Sequence, residues 1–305
     1  MMFIFHTLPN RATAFLLALM AIFPLADACA KEKPKVEERR VTIEAGDVML
    51  GASLYRPANA KGDLPAIVTA HGSAPSTRQG VGFYTRRALE MGFAVLSFDK
   101  RGTGESTGEY EPFTVADSAR VFQDLAMDVV WSARWVAEQD GIDETRIGLF
   151  GGSQAGWIMP LAASYEPAIK FIIIGEGNPV TAGEEAIHGS YLVEHAGSEG
   201  GADSAIVAQA DAILEAYDGD HGFNPAPVLE ALDIPVLWIF GLRDSVIPVI
   251  PSLTRLETLI KSGKVNNEVH VFAFGDHGFN NTATGGRYDI NGVAEPWLHA
   301  IGILD

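Results

Sequence analysis

Six short apolar runs, each separated from the next by polar or helical sequence, constrain this chain more than any other feature. They occupy residues 66–70, 93–98, 147–150, 171–174, 236–240 and 269–274. Several are apolar at successive positions, so both faces of the strand each would form must be covered. That pattern belongs to parallel strands held between two layers of helix. Helical patterns occupy residues 78–91, 115–139, 154–164, 251–262 and 293–301. Strand and helix in repeated alternation predict an α/β fold with a mostly parallel central sheet and helices on both faces. Ahead of it, 41–44 and 48–55 flank Ala45-Gly46-Asp47 and read as a hairpin.

One interval breaks the rhythm. Between Gly175 and Ile234 there are weak helical patterns and no strand pattern. A single crossover helix does not need that length. An insertion at 178–226 is expected to cover one end of the sheet as a short helical lid, with the glycines of 197–201 as a loop within it.

The ends of the chain differ in kind. Arg11 precedes an apolar run at 14–23, and Ala28-Cys29-Ala30 offers a small-residue cleavage site. This predicts a signal peptide over 1–30, removed after Ala30, and a periplasmic or secreted protein. The run is short for a membrane span, so no stable membrane insertion is expected after cleavage. An uncleaved anchor and a lipidated Cys29 are the alternatives, the latter opposed by Ala26 and Asp27 before it. Cys29 is the only cysteine of the 305 residues, so cleavage would leave a chain without disulfides. With 47% hydrophobic residues, no linker-like stretch and no repeat, residues 31–305 are expected to form one domain. The net charge of −17 falls wholly on that part, because Arg11 and Asp27 cancel. Such acidity argues against nucleic acid and anionic membrane partners; it leaves a small uncharged substrate open.

In an open parallel sheet, ligands sit at the carboxyl ends of the strands. The residues that follow each run are therefore the ones to examine. His71-Gly72-Ser73 follows the first. Asp99-Lys100-Arg101-Gly102-Thr103-Gly104-Glu105-Ser106 follows the second and reads as structural, since it lacks the order of a phosphate-binding loop. Gly151-Gly152-Ser153-Gln154-Ala155-Gly156 follows the third, and Glu176 the fourth. Gly241-Leu242-Arg243-Asp244 follows the fifth, and Gly275-Asp276-His277-Gly278-Phe279 the sixth. The third is a strand turning sharply into a helix, with glycines relieving the crowded backbone and one hydroxyl presented at the bend. A serine, a carboxylate and a histidine thus fall at one sheet edge in the order Ser153, Asp244, His277.

That order, with the His71-Gly72 loop, the Asp99–Ser106 run, Gly-Leu-Arg-Asp before Val246-Ile247-Pro248, and Asp-His-Gly-Phe near the end, resembles the α/β-hydrolase superfamily over about residues 41–303. Within it the chain looks most like secreted bacterial esterases, acyl-thioesterases and S9/S33-type peptidase relatives. The departure is Ala155 where Gly-x-Ser-x-Gly has its last glycine; Gly156 comes one residue later. The resemblance implies Ser153 as nucleophile, His277 as general base and Asp244 as the acid that orients it. The oxyanion donors would be the backbone N–H groups of Gln154 and Ser73. Glu176 and Asp276 compete with Asp244; Asp276 is awkwardly adjacent to His277, and Glu176 is the alternative acid or a substrate-pocket residue. No cofactor and no metal is expected. His188, His195 and His221 in the insertion match no zinc spacing and read as solvated; His71 reads as shaping its loop, and Trp157 and Trp238 as core.

Such a set transfers an acyl group to water. The first expectation is hydrolysis of carboxylic esters with small or medium acyl groups through an acyl-enzyme on Ser153. An exopeptidase or an acyl-thioesterase is the alternative. For an aminopeptidase, Glu176, Glu184, Glu185 and Glu194 are the carboxylates available to hold a substrate ammonium. A non-catalytic binding protein on this scaffold is disfavoured by the complete triad.

Overall fold

The computed structural model describes residues 35–196, 203–263 and 266–305. The export signal expected over 1–30 and the glycine stretch 197–201 lie outside the described residues. The hairpin forms as β1 (Val36–Ala45) and β2 (Val48–Pro57), paired antiparallel from Val36↔Pro57 to Ala45↔Val48. β1 begins five residues before the apolar pattern because Glu37, Glu38, Arg39 and Arg40 are exposed on the edge of the sheet. Charges there leave no alternation to read, and they discourage pairing with another chain.

The remaining strands are β3 (Leu64–Ala70), β4 (Ala94–Phe98), β5 (Ile142–Gly152), β6 (Ile169–Gly175), β7 (Val236–Gly241) and β8 (Asn267–Phe272). The sheet runs β1-β2-β4-β3-β5-β6-β7-β8. β2 meets β4 antiparallel, and every pair from β4 onward is parallel. All six parallel strands therefore end at one edge.

Helices cover both faces, as the alternation predicts. Alternate strand residues divide between two cores. Ile172, Ile174 and Trp238 pack with α2 (Ser118–Ala137), α3 (Ala155–Tyr165) and α7 (Val249–Lys261). Phe171, Ile173, Leu237 and Ile239 pack with α1 (Gly82–Glu90) and α8 (Asn291–Ala300). Trp157 and Trp238 are both buried, in agreement with the core reading. Between β6 and β7 lie α4 (Ala182–Ala196), α5 (Ser204–Leu214) and α6 (Ala226–Ala231), with no strand among the described residues. Asp203 caps α5 by accepting the Ala205 and Ile206 N–H groups at 2.9 and 3.0 Å.

The charged run after β4 braces the site edge. Asp99 accepts Arg78 Nε at 2.9 Å, Arg78 Nη2 at 2.7 Å, the Arg78 N–H at 2.7 Å and the Glu105 N–H at 2.8 Å. Arg78 also reaches Glu105 Oε2 at 2.6 Å and Ser53 Oγ at 3.0 Å. Burial alone would raise the Asp99 carboxyl, but the Arg78 bonds and the backbone N–H groups outweigh it and hold it down at about 2. R78M would leave a buried carboxylate unpaired, which typically costs about 3–5 kcal/mol. A depressed carboxyl contributes stability above its unfolded value, ~3.9, and loses it as pH falls toward the folded value. Urea unfolding of R78M is therefore expected to show the full deficit at pH 5–7 and a narrowing one below pH 4. A difference that does not change with pH would mean that lost packing, not the ion pair, sets the cost.

Candidate active site

Ser153 is the residue after β5, with φ 57°, a conformation that residues with a side chain rarely adopt. Among the described residues, the other non-glycines with positive φ are Ala74, Glu176 and Phe279. All four sit in loops that follow parallel strands, so backbone strain is concentrated at this edge. The Ser153 N–H is tied to the Gly175 carbonyl at 3.1 Å. Gly152 has to be glycine, since a Cβ there would lie 2.0 Å from the Tyr84 hydroxyl and 2.4 Å from the Gly175 carbonyl oxygen. The displaced glycine of the motif also has a local cause. A Cβ at Gly156 would lie 2.7 Å from the Asn178 amide nitrogen and 2.8 Å from Gly177 Cα. The loop after β6 closes on the first turn of α3 at Gly156, whereas the methyl of Ala155 is accommodated in the core.

Asp244, after β7, is 2% exposed and accepts the Val246 and Ile247 N–H groups at 2.8 and 3.3 Å through Oδ1. Its Oδ2 is 2.8 Å from His277 Nδ1. Burial acts to lower the His277 pKa, but the hydrogen bond and charge of Asp244, with smaller contributions from Asp276 and Glu185, raise it above its ordinary value. Asp276 is otherwise occupied: its carboxylate accepts the Gly278 and Asn280 N–H groups and the Asn280 side chain. The structure thus brings Asp244, not its neighbour in sequence, to the imidazole.

Glu176 is the third carboxylate here. One of its oxygens, one of Asp244 and one ring nitrogen of His277 all lie within 4.8 Å of one another. The residue is 2% exposed. Burial and the nearby Asp244 charge push its carboxyl up to about 10, against the Phe279 N–H, which it accepts at 3.2 Å. It is accordingly a neutral acid at physiological pH. Among the described residues, these three side chains are the set whose spacing would admit a metal ion. A cation there would compete with the Nδ1–Asp244 hydrogen bond that orients the ring.

The loop after β3 passes directly over Ser153: a Cβ placed on Gly72 would lie 3.4 Å from Ser153 Cβ and 3.9 Å from its Oγ. Ser73 follows, exposed. Gln154 is the N-cap of α3, where a backbone N–H has no carbonyl behind it within the helix. The loop that carries Ser73 and the start of α3 that carries Gln154 thus both lie against Ser153. His71 is buried, its pKa pushed down to about 3 mainly by burial and then by Lys100, so it stays neutral and fits the loop-shaping reading.

Sequence reasoning missed two features. Lys100, in the run whose sequence reads as structural, points back to the site: its Nζ donates to the Gly72 carbonyl at 2.8 Å, the Ala74 carbonyl at 3.3 Å and Gln154 Oε1 at 3.0 Å. No motif marks it, because its partners are two carbonyls and an amide remote in sequence. His188, expected to be solvated, is fully buried, with Nε2 3.1 Å from Asp211 Oδ1. It sits on the inner side of α4, and Asp211 on α5 answers it. In the same helix Glu184 forms a double hydrogen bond to Arg255 of α7, both contacts at 2.8 Å. Glu185 is half-buried, and burial raises its carboxyl against the opposing pull of the nearby His188 and His277 rings. A cavity of about 660 Å³ opens between α4, α5, α6 and α7 and is not lined by Ser153, Asp244 or His277.

Comparison with known proteins agrees with this architecture. Residues 46–220 match the family model described as X-Pro dipeptidyl-peptidase (S15 family), and residues 199–305 match that of the dienelactone hydrolase family. An uncharacterized protein of Pseudomonas aeruginosa is 32% identical over 141 residues, which is 46% of this chain and 36% of that one. The chain spans less than half the length of the curated relatives it matches. A putative dienelactone hydrolase of Klebsiella pneumoniae superposes with TM-score 0.58 at 18% identity, covering 88% of this chain and 98% of that one. The Pyrococcus furiosus esterase Pf2001 does so with TM-score 0.58 at 19% identity, covering 87% and 89%. At such identities the likeness is one of fold, and the fold is that of the α/β-hydrolase superfamily.

Proposed function

We propose that this chain, which belongs to the X-Pro dipeptidyl-peptidase (S15) family, is a serine hydrolase that cleaves carboxylic esters of small or medium acyl groups. The observation that carries the reading is the 2.8 Å Asp244–His277 contact at the sheet edge where Ser153 is presented with φ 57°. Neutral His277 takes the Ser153 proton as Oγ attacks the ester carbonyl. Asp244 stabilises the imidazolium that results. The Gln154 and Ser73 N–H groups receive the oxyanion, and His277 returns the proton to the leaving alkoxide. Water then repeats the sequence on the acyl-enzyme. The insertion at 178–226, which carries α4 and α5, serves as the lid over this edge, and the segment 1–30 as an export signal that delivers the protein to the periplasm or the medium.

Esters are favoured over peptides because two of the four carboxylates that could hold a substrate ammonium are already engaged. Glu184 is committed to Arg255, and Glu176 is buried and protonated beside Asp244. The exopeptidase reading keeps one specific support, Glu185, whose carboxyl interacts electrostatically with His277. Turnover of p-nitrophenyl acetate and butyrate is expected to exceed that of aminoacyl and prolyl nitroanilides by at least about a hundredfold in kcat/KM. Nitroanilide turnover that exceeds ester turnover and falls in E185Q would replace the esterase reading with the exopeptidase one.

A further inference from the structure

Lys100 places one charge between the two segments that bear the oxyanion donors. Its ammonium has three donors, and three acceptors meet it: the Gly72 and Ala74 carbonyls from the loop after β3, and the Gln154 side chain from the start of α3. The first contact matters most. The Gly72 carbonyl and the Ser73 N–H belong to the same planar peptide unit, and in a trans peptide they point in opposite directions. An ammonium bound to the carbonyl fixes the plane of that unit and so aims the N–H away from Lys100. It also draws electron density toward the oxygen, which strengthens the N–H as a donor. The third contact holds the side chain of the residue whose own N–H is the other donor.

We propose that Lys100 is a positioning residue of the oxyanion hole, orienting and polarising the Gly72–Ser73 peptide and locking it to Gln154. The proposal rests on the serine-hydrolase reading of the site. Lys100 touches neither substrate nor Ser153 in this role; it acts through the two amides. Burial is a steep cost for a lysine without such work, and only 3% of this residue is exposed. The groups that face it are few. His71 lies beside it on the β3 loop and stays neutral. Tyr110 presents its ring at 5.4 Å. Asp128 of α2 supports its charge from beyond, itself bonded to Arg101. Burial lowers the Lys100 pKa to about 8 against the weaker pull of Asp128, so this charge is lost at mildly alkaline pH.

K100M tests the proposal through kcat, KM and their pH profiles on p-nitrophenyl acetate. Loss of a whole oxyanion donor costs about 10²–10³ in kcat; misaiming one is expected to cost roughly 10–100-fold, with KM changed less than about threefold. In the unmodified protein kcat is expected to fall on an alkaline limb with its midpoint near pH 8. In K100M, and in K100R, which retains its charge, that limb is expected to vanish. A role in packing alone would lower thermal stability and leave the limb in place. The proposal is overturned if K100M keeps kcat within twofold, or if the limb near pH 8 persists in either variant. Should K100M fail to fold, K100R alone decides through its limb. Fluorophosphonate labelling of the unmodified protein separates the two levels: unlabelled Ser153 removes the serine-hydrolase reading itself, while labelled Ser153 with an unmoved limb removes only the role of Lys100.

Discussion

S153A is expected to lower kcat for p-nitrophenyl acetate by about 10⁵–10⁶-fold, with KM and thermal unfolding nearly unchanged. The loss is large because the proposed mechanism forms its acyl-enzyme on the Ser153 hydroxyl. The residual rate would come from the oxyanion donors and binding alone, acting on water. Folding is spared because alanine meets the same positive φ as serine, and the bend is held by the Ser153 N–H bond to Gly175 and by the two flanking glycines, not by the hydroxyl. A variant that keeps more than about one per cent of turnover would place the nucleophile elsewhere, since a few per cent is far above what the donors alone supply.

The second large effect separates two carboxylates that share one imidazole. D244N is expected to cost about 10⁴-fold in kcat, because an amide at this position stabilises the wrong tautomer of the ring and offers no charge to the imidazolium. E176Q is expected to cost less than about tenfold. Glu176 already carries its proton, so glutamine matches it in charge and shape. Reversal of the two magnitudes would make Glu176 the acid. The acid limb of kcat/KM reports the same pair. His277 must be neutral to act, and its pKa is raised mainly by Asp244 against the effect of burial. The limb should therefore lie above pH 6.5 in the unmodified protein and move down in D244N. Stability gives an independent reading of Glu176. A carboxyl raised in the folded state contributes most below its unfolded value, ~4.3, and loses that contribution as pH rises toward about 10. The thermal advantage of E176Q over the unmodified protein should widen from pH 5 to pH 9.

How much of this was legible in the sequence depends on the kind of signal. Apolar runs such as 171–174 report burial directly, and they located β6 to within two residues at its start and one at its end. β1 and β5 extend further toward their N-termini than the pattern, through charged or polar residues: 37–40 are held by pairing with β2, whereas 143–146 fall at an irregularity in the pairing with β3. Chain order at strand ends brought Ser153, Asp244 and His277 to one edge because a parallel sheet leaves no other place for them. Gly156 was legible as a departure from the motif but not its cause, which is the approach of Gly177 and Asn178 from a different loop. Contacts of that sort, between segments distant in sequence, are what the sequence hides. The Lys100 ammonium on Gly72 and Gln154, the proton kept on Glu176 by burial and by Asp244, and the burial of His188 against Asp211 all belong to this class.

The central claim is that Ser153 attacks the substrate carbonyl, and it can be tested on the residue itself. The folded protein is incubated with a fluorophosphonate at pH 7.5, digested, and the modified peptide located by mass spectrometry. A single stoichiometric adduct on Ser153 is expected, formed much more slowly in H277A, with loss of ester turnover in step with labelling. An adduct on another residue with full inactivation, or full retention of turnover after Ser153 is modified, would contradict it.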